Sequence, residues 1–354
     1  MTPRTKSLAN TITSNDNDDI TELKKRIALS KAITLIESHS RVHMEQADLL
    51  LNYLYQSNVG THRDNFRVGF AGPPGSGKSS FIEKFGQHIL NKEELDTDFK
   101  PEKLAIVCID PSSVITGGSI LGDKTRMKDL SLHPRAFVRP SPSKGILGGL
   151  SSYTNDVTSL CLAANYDLVV VESVGIGQSE CGISNAVDMV VLLVAPGGGD
   201  SLQGVKKGIL EVADMLIVNK ADGSLLPVAR ATAADYKMAT HFFRSRMKGW
   251  EAPPVLLASA NSGEGIKEIW EQICDYRNLV IKNGELHRRR TLQKHYWMMK
   301  HLEELISDKI KSDTQIATIA EKLNEDLDRG VISTRAAATH LFDLISSKDP
   351  VEDR

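Results

Sequence analysis

The sequence predicts an α/β fold: a doubly wound, mostly parallel sheet with an N-terminal helical extension and a C-terminal helical arm. Two observations carry that reading. From Phe66 to about Ile281, short apolar segments alternate with stretches of helical periodicity, the rhythm of consecutive βα units. The apolar segments are near-continuous runs of Val, Ile and Leu, as strands buried on both faces require. The strand candidates are Phe66–Ala71, Leu104–Ile109, Leu168–Glu172, Met189–Ala195, Met215–Asn219 and Val255–Ala258. In such a sheet, ligands are expected outside the carboxyl ends of the strands.

Taken in chain order, residues 1–19 read as a disordered tail or a weak transit peptide. Arg4 and Lys6 are the basic residues there, Ser and Thr are frequent, and Asn15-Asp16-Asn17-Asp18-Asp19 ends the stretch abruptly. Residues 20–60 hold Ile20, Leu23 and Ile27, then Ile33 and Ile36, then Leu50 and Leu54, at helical spacing. They predict two helices leading into the core. Residues 61–283 carry the strands and the phosphate loop. Beyond Asn283-Gly284, residues 284–354 turn helical and charged, with apolar periodicity through Leu302, Leu305 and Ile306, then Ile316, Ile319 and Leu323. After a turn at Gly330 come Ala337, Leu341 and Leu344. This last stretch reads as a dimerisation arm, with a cap on the sheet as the competing reading.

Composition excludes several classes. A formal net charge of -2 argues against the basic footprint that binding to nucleic acid needs. No apolar run approaches the length of a membrane span, so no membrane partner is expected. Cys108, Cys161, Cys181 and Cys274 are scattered without C-x-x-C spacing, which reads as reduced, mostly core thiols.

Chemistry is concentrated in a few motifs. Gly72-Pro73-Pro74-Gly75-Ser76-Gly77-Lys78-Ser79 fits G-x-x-x-x-G-K-[ST], lies between a strand and a helix read from Ser79 to Leu90, and is followed by Ser80. Glycines let the backbone wrap a β-phosphate, whose charge meets N–H groups and a helix N-terminus. Lys78 reaches the β- and γ-phosphates, and the Ser79 hydroxyl takes a place on Mg²⁺. Asn219-Lys220-Ala221-Asp222 matches N-K-x-D after an apolar strand. Its carboxylate accepts from the N1–H and exocyclic amine of guanine, which adenine cannot supply, so GTP and GDP are favoured over ATP. Ser259 and Ala260, after the last strand, would close the base pocket. Glu172 ends a buried strand and is a Mg²⁺ candidate, with a helix-capping acid as the alternative; Gly175 would sense the γ-phosphate. Asp110 and Asp123 are further metal-shell candidates, although Asp123 also suits a plain turn. For hydrolysis, Gln178 could orient water. Arg126 could act as an arginine finger or form a salt bridge.

Longer stretches carry a resemblance: Asp110-Pro111-Ser112-Ser113, the run from Thr116 to Met127, Arg139-Pro140-Ser141-Pro142, Val171 to Glu180, and Gly198 to Gly208. They resemble the MeaB/ArgK-type P-loop GTPases, the family that includes the methylmalonic aciduria type A protein, and the likeness runs from about Ile27 to Trp297. The resemblance implies a Mg²⁺-dependent, homodimeric GTPase that serves as a chaperone for adenosylcobalamin-dependent methylmalonyl-CoA mutase, gating cofactor loading, protection or reactivation. It implies a first switch from Asp110 to Met127, a second from Glu172 to Glu180, and a third from Gly197 to Lys207 that passes nucleotide state to the partner; Gln203 and Lys206 are the candidates there, with an amphipathic helix start bearing solvated polar groups as the alternative. The weakly transit-like N-terminus suggests the mitochondrial matrix if the chain is eukaryotic, and the cytoplasm otherwise. Ser173 stands where the family usually has Thr, and Cys181-Gly182-Ile183-Ser184-Asn185 departs from the usual small apolar and acidic residues.

Two other classes compete. One is a phosphotransferase that moves the γ-phosphate to an acceptor; the guanine motif counts against it, because small-molecule kinases mostly use ATP. The other is a metal-insertion GTPase; His39, His43 and His62 form no ligand-like pattern, and Cys108 reads as a core thiol.

Overall fold

The computed structural model describes residues 1–14, 18–38, 40–57, 65–91, 93, 95–110, 127–142, 152–173, 180–197, 207–240 and 247–347. These divide into two compact units, residues 1–293 and 294–354. In the first, β1 (Phe66–Ala71), β2 (Leu104–Asp110), β3 (Ala136–Pro142), β4 (Leu168–Glu172), β5 (Met189–Val194), β6 (Met215–Val218) and β7 (Val255–Leu257) form one sheet. Its order is β3-β2-β4-β1-β5-β6-β7 and every pairing is parallel. From β1 the chain moves out to β2 and β3 on one side, returns to place β4 beside β1, and then runs out through β5, β6 and β7 on the other side. That is the topological reversal at which a doubly wound sheet opens a ligand crevice.

Every strand expected from the sequence is present, and β3 is an addition. Pro140 and Pro142 interrupt its apolar run and can donate no ladder hydrogen bond. The sheet tolerates them because β3 is an edge strand, paired with β2 alone.

Side chains alternate across the sheet, so each face has its own core. Ile106, Cys108 and Val170 enter one, and Ala105, Val107 and Val169 the other. The first core lies beneath α4 (Lys78–Leu90) and includes Ile266, Ile269, Trp270 and Ile273 of a helix near the end of the unit (Ile266–Lys282). Phe81 and Phe85 stack with ring centroids 5.7 Å apart, and Phe85 meets Trp270 edge-on at 6.0 Å. The second core is covered by α1 (Pro3–Ile12), α2 (Asp19–Ile36), α3 (Arg41–Gln56) and α5 (Ser152–Ala163). Leu29, Ile33, Leu50 and Leu160 are fully buried there, each contributing about 1.5–3 kcal/mol.

Two expectations for the N-terminus are corrected. Residues 3–12 form a helix, not a disordered tail. Thr2 caps it by accepting from Thr5 N at 3.2 Å, Pro3 sits where a helix start favours proline, and Ala9 and Ile12 are buried. Asp18 and Asp19 of the acidic stretch start α2, Asp18 Oδ1 accepting from Ile20 N and Thr21 N at 3.1 and 3.0 Å. The two helices expected between residues 20 and 60 are α2 and α3. However, Ile20, Leu23 and Ile27 face outward, with 67%, 60% and 47% of their surface exposed. The buried face of α2 is drawn instead from Ala28, Leu29, Ala32, Ile33 and Ile36.

Cys108, Cys161 and Cys274 are buried, and none of them forms a disulfide among the described residues. Burial pushes the Cys161 thiol up to about 12 and the Cys274 thiol up to about 11, so neither is a thiolate at neutral pH. Near the end of the first unit, a helix of residues 285–312, labelled α6 here, begins and continues into the second. The second unit also holds α7 (Thr314–Asp328) and α8 (Thr334–Ser347), which bury Ile316, Leu323 and Ala337. No described helix is long and apolar enough to cross a membrane.

Candidate nucleotide site

β1 runs directly into the glycine loop. Gly72 adopts φ 149°, and a Cβ there would lie 2.0 Å from Leu193 O on neighbouring β5. Gly77 adopts φ 86°, and a Cβ there would meet Asn219 Nδ2 at 2.6 Å. Both positions therefore need glycine, one for a close pass over β5 and one for the turn into α4. Gly77 caps α4 without a side-chain hydrogen bond, and no acid occupies its first turn. The leading N–H groups and the positive end of the helix dipole are thus left facing an anion site.

Lys78 folds across the loop, and its Nζ donates to Gly72 O at 2.8 Å and Pro73 O at 3.3 Å. Pro74, Gly75 and Ser80 are exposed on the rim, while Ser76 and Ser79 are buried. Ser79 Oγ donates to Glu172 Oε1 at 2.8 Å, joining the start of α4 to the end of β4. Two hard oxygen donors at that spacing suit a small divalent cation such as Mg²⁺. Ser173 follows and is buried, its N–H donating to Phe70 O at 3.0 Å.

The base side is built from the ends of β6 and β7. Asn219 is buried; its Nδ2 donates to Ser76 O at 2.9 Å and its Oδ1 accepts from Ala260 N at 3.1 Å. One amide thus ties the phosphate loop to the base loop. Lys220 sits at φ 58°, a left-handed kink that turns the chain after β6. Ala221 N then donates to Ala258 O at 2.9 Å. Ser259 Oγ donates to Asp222 Oδ2 and accepts from Ser262 N at 3.0 Å, which orients the half-buried Asp222 carboxylate.

The fold therefore gathers Gly72 to Ser80, Glu172, Asn219, Lys220, Asp222, Ser259 and Ala260 at the carboxyl ends of β1, β4, β6 and β7. Asp110 ends β2 at the same edge of the sheet. Asp123, Arg126, Gly175, Gln178, Gln203 and Lys206 lie outside the described residues. The sequence motif assigned Asn219 to base recognition; its bridge to Ser76 O was not legible, because it depends on the approach of loops 143 residues apart.

Comparison with known proteins agrees with this geometry. The family described as methylmalonyl Co-A mutase-associated GTPase MeaB matches residues 29–315. The chain is 38% identical over 330 residues to the methylmalonic aciduria type A homolog, mitochondrial, of Mus musculus, covering 92% of this chain and 77% of that protein. It is 40% identical over 305 residues to GTPase ArgK of Escherichia coli, covering 86% and 85%. A crystal structure of a LAO/AO transport system kinase superposes with a TM-score of 0.68 at 29% identity, covering 97% of each chain. With a family match across most of its length and a complete phosphate loop and guanine motif in one crevice, the chain belongs to the MeaB family of methylmalonyl-CoA mutase-associated GTPases and is itself a GTPase.

Proposed function

We propose that this GTPase is a Mg²⁺-dependent nucleotide switch that binds methylmalonyl-CoA mutase and gates the loading, protection or reactivation of its adenosylcobalamin. The observation that carries the nucleotide part is the Ser79–Glu172 contact at 2.8 Å beside Lys78. Ser79 and Glu172 would hold Mg²⁺, directly or through water, and bound Mg²⁺ would neutralise charge developing on the phosphoryl oxygens. Lys78 would draw the β- and γ-phosphates into the loop, and the N–H groups at the start of α4 would stabilise them. Asp222, set by Ser259, would select guanine. Asp110, Asp123 and Gly175 would complete the metal and γ-phosphate surroundings, while Gln178 or Arg126 would assist hydrolysis. The mutase as partner rests on the family description and on the resemblance of the segments around Glu172 and Gly198.

We also propose that the chain is a homodimer. Leu292, Met299, Leu302 and Ile306 are exposed along α6, spaced by seven, three and four residues, the seam of a helix that packs against a partner helix. Leu302→Glu combined with Met299→Glu is expected to give monomers in sedimentation experiments; unchanged dimers would remove this seam as the contact. Location follows the source of the chain, mitochondrial or bacterial, as among its relatives.

The test of the main reading is GTP turnover of the purified chain with and without the mutase of the same organism, with ATP as control. Stimulation of GTP but not ATP hydrolysis, with co-elution of the two proteins, is the expected result; indifference to the mutase would leave a GTPase acting on another partner. A phosphotransferase reading is kept in view by the similar structure called a transport system kinase. It requires label from γ-phosphate-labelled nucleotide to appear on an acceptor and not as free phosphate.

A further inference from the structure

At the edge of the sheet opposite the nucleotide, the first turns of α6 are fastened to the chain that follows Glu172. Gln293 Nε2 donates to Ser184 O at 2.9 Å and Val187 O at 2.7 Å, while its Oε1 accepts from Arg67 Nη2 at 2.6 Å. Arg289 Nη1 donates to Asp188 O at 2.7 Å and pairs with Asp214 at 3.2 Å. Arg290 forks onto Asp188 at 2.9 and 2.6 Å and reaches Asn65 Oδ1 and O at 3.0 and 3.1 Å. Arg67, Asp188 and Gln293 are all buried.

The gripped carbonyl of Ser184 lies within a 3-10 turn, Glu180–Asn185, and those of Val187 and Asp188 lie between that turn and the start of β5. That turn is wedged against β1. Ile183 is buried, and a Cβ at Gly69 would fall 2.6 Å from its Cδ1. From Glu180 to Asp188 the chain packs against β1 and meets three side chains of one helix. An amide that donates twice and guanidinium groups held in a fork have little room to slide, so a displaced carbonyl must either carry them along or break the contact.

We infer that Arg289, Arg290 and Gln293 form a coupling through which the chain from Glu180 to Asp188 and helix α6 respond together to the bound nucleotide. The inference rests on the reading of Glu172 to Glu180 as a nucleotide switch. Because α6 continues past Gln293 into the second unit, nucleotide state would reach that unit through the helix itself, and events in that unit would reach the nucleotide in return.

Hydrogen exchange of the full chain, loaded with GDP or with a non-hydrolysable GTP analogue, tests this when peptides covering 180–187 and 294–312 are followed together. In the wild type, both peptides should change between the nucleotide states. In Gln293→Met the change at 180–187 should persist while that at 294–312 is lost. Reciprocity gives a second readout: the ratio of GDP to GTP-analogue affinities should shift by about 5-fold or more, within the usual range for coupled sites. Purely structural contacts would weaken both affinities alike and leave the ratio unmoved. Arg290→Lys, which keeps a positive charge facing Asp188 but cannot fork, should shift the same ratio and serves if Gln293→Met does not fold. A change at 180–187 without one at 294–312 in the wild type, or a full response in the variants with an unmoved ratio, would overturn the coupling and leave the switch standing. No change at either peptide would overturn both.

Discussion

At the carboxyl ends of the strands, polar groups face space that a ligand can enter; at the amino ends they are paired with one another. Around the phosphate loop, the buried hydroxyls of Ser76 and Ser173 have no hydrogen-bond partner among the described residues. At the other end, Asp188 receives Arg67 at 2.5 Å and Arg290 at 2.6 Å, and Asp214 receives Arg289. The same strands thus carry unfilled hydrogen-bonding capacity at one edge and satisfied charge at the other. Binding is concentrated where pairing is incomplete, and stability where pairing is complete.

The largest expected effect tests the stabilising end. Asp188→Ala leaves Arg67 and Arg290 without their carboxylate in a buried setting, and removing one partner of such a group typically costs about 3–5 kcal/mol. Urea unfolding should show that loss, while GTP affinity measured well below the melting temperature falls far less than it does in the phosphate-loop variant Lys78→Ala. A large fall in affinity with little loss of stability would erase the division between the two ends.

Next is the complementary test. Lys78→Ala removes the cation that spans the loop while leaving both cores untouched. Calorimetry should show GTP binding weakened about 10²–10³-fold, as for loss of a single preorganised electrostatic contact. The unfolding midpoint should move little. Wild-type affinity in this variant would mean the loop does not hold the phosphates.

A smaller effect is expected from Asp222→Asn, which keeps the shape but turns one carboxylate oxygen into a donor. Hydrogen bonds to charged groups contribute about 1.5–3 kcal/mol. Competition between GTP and ATP should show guanine preference reduced by roughly that amount, with total nucleotide binding reduced less than in Lys78→Ala. An unchanged preference would place base selection elsewhere than Asp222.

The two ends also differ in how much of them could be read from the sequence. The nucleotide edge is encoded in short contiguous motifs, because a backbone turn that cradles phosphate must be built from neighbouring residues. Gly72 to Ser79 and Asn219 to Asp222 were therefore legible. The charged edge has no motif: Arg67 and Asp188 lie 121 residues apart, Arg290 and Asp188 102, and only the sheet brings them together. Prolines hid β3, since an edge strand tolerates a missing donor that a central strand does not. The stripe of Ile20, Leu23 and Ile27 showed helical periodicity but not which face of α2 meets the sheet. In α1, Thr2, Pro3, Ala9 and Ile12 supply a cap, a start and a buried face, but so short a helix is stable only against its neighbours.

Acidification offers the finest distinction between the ends. Burial pushes the Asp188 carboxyl up, but the Arg290 and Arg67 guanidiniums outweigh it and hold the group well below the usual carboxylate range. A carboxyl whose folded value is depressed contributes its full stability above the unfolded value, about 3.9 for Asp, and loses it as pH falls below that toward the folded value. The difference in unfolding free energy between wild type and Asp188→Asn should therefore stay constant from pH 8 to pH 5 and begin to narrow only below about pH 4. Urea titrations across that range measure it. A gap that narrowed near pH 6 would mean that a group titrating near neutrality, and not the Asp188 carboxylate, sets the charge balance at this edge.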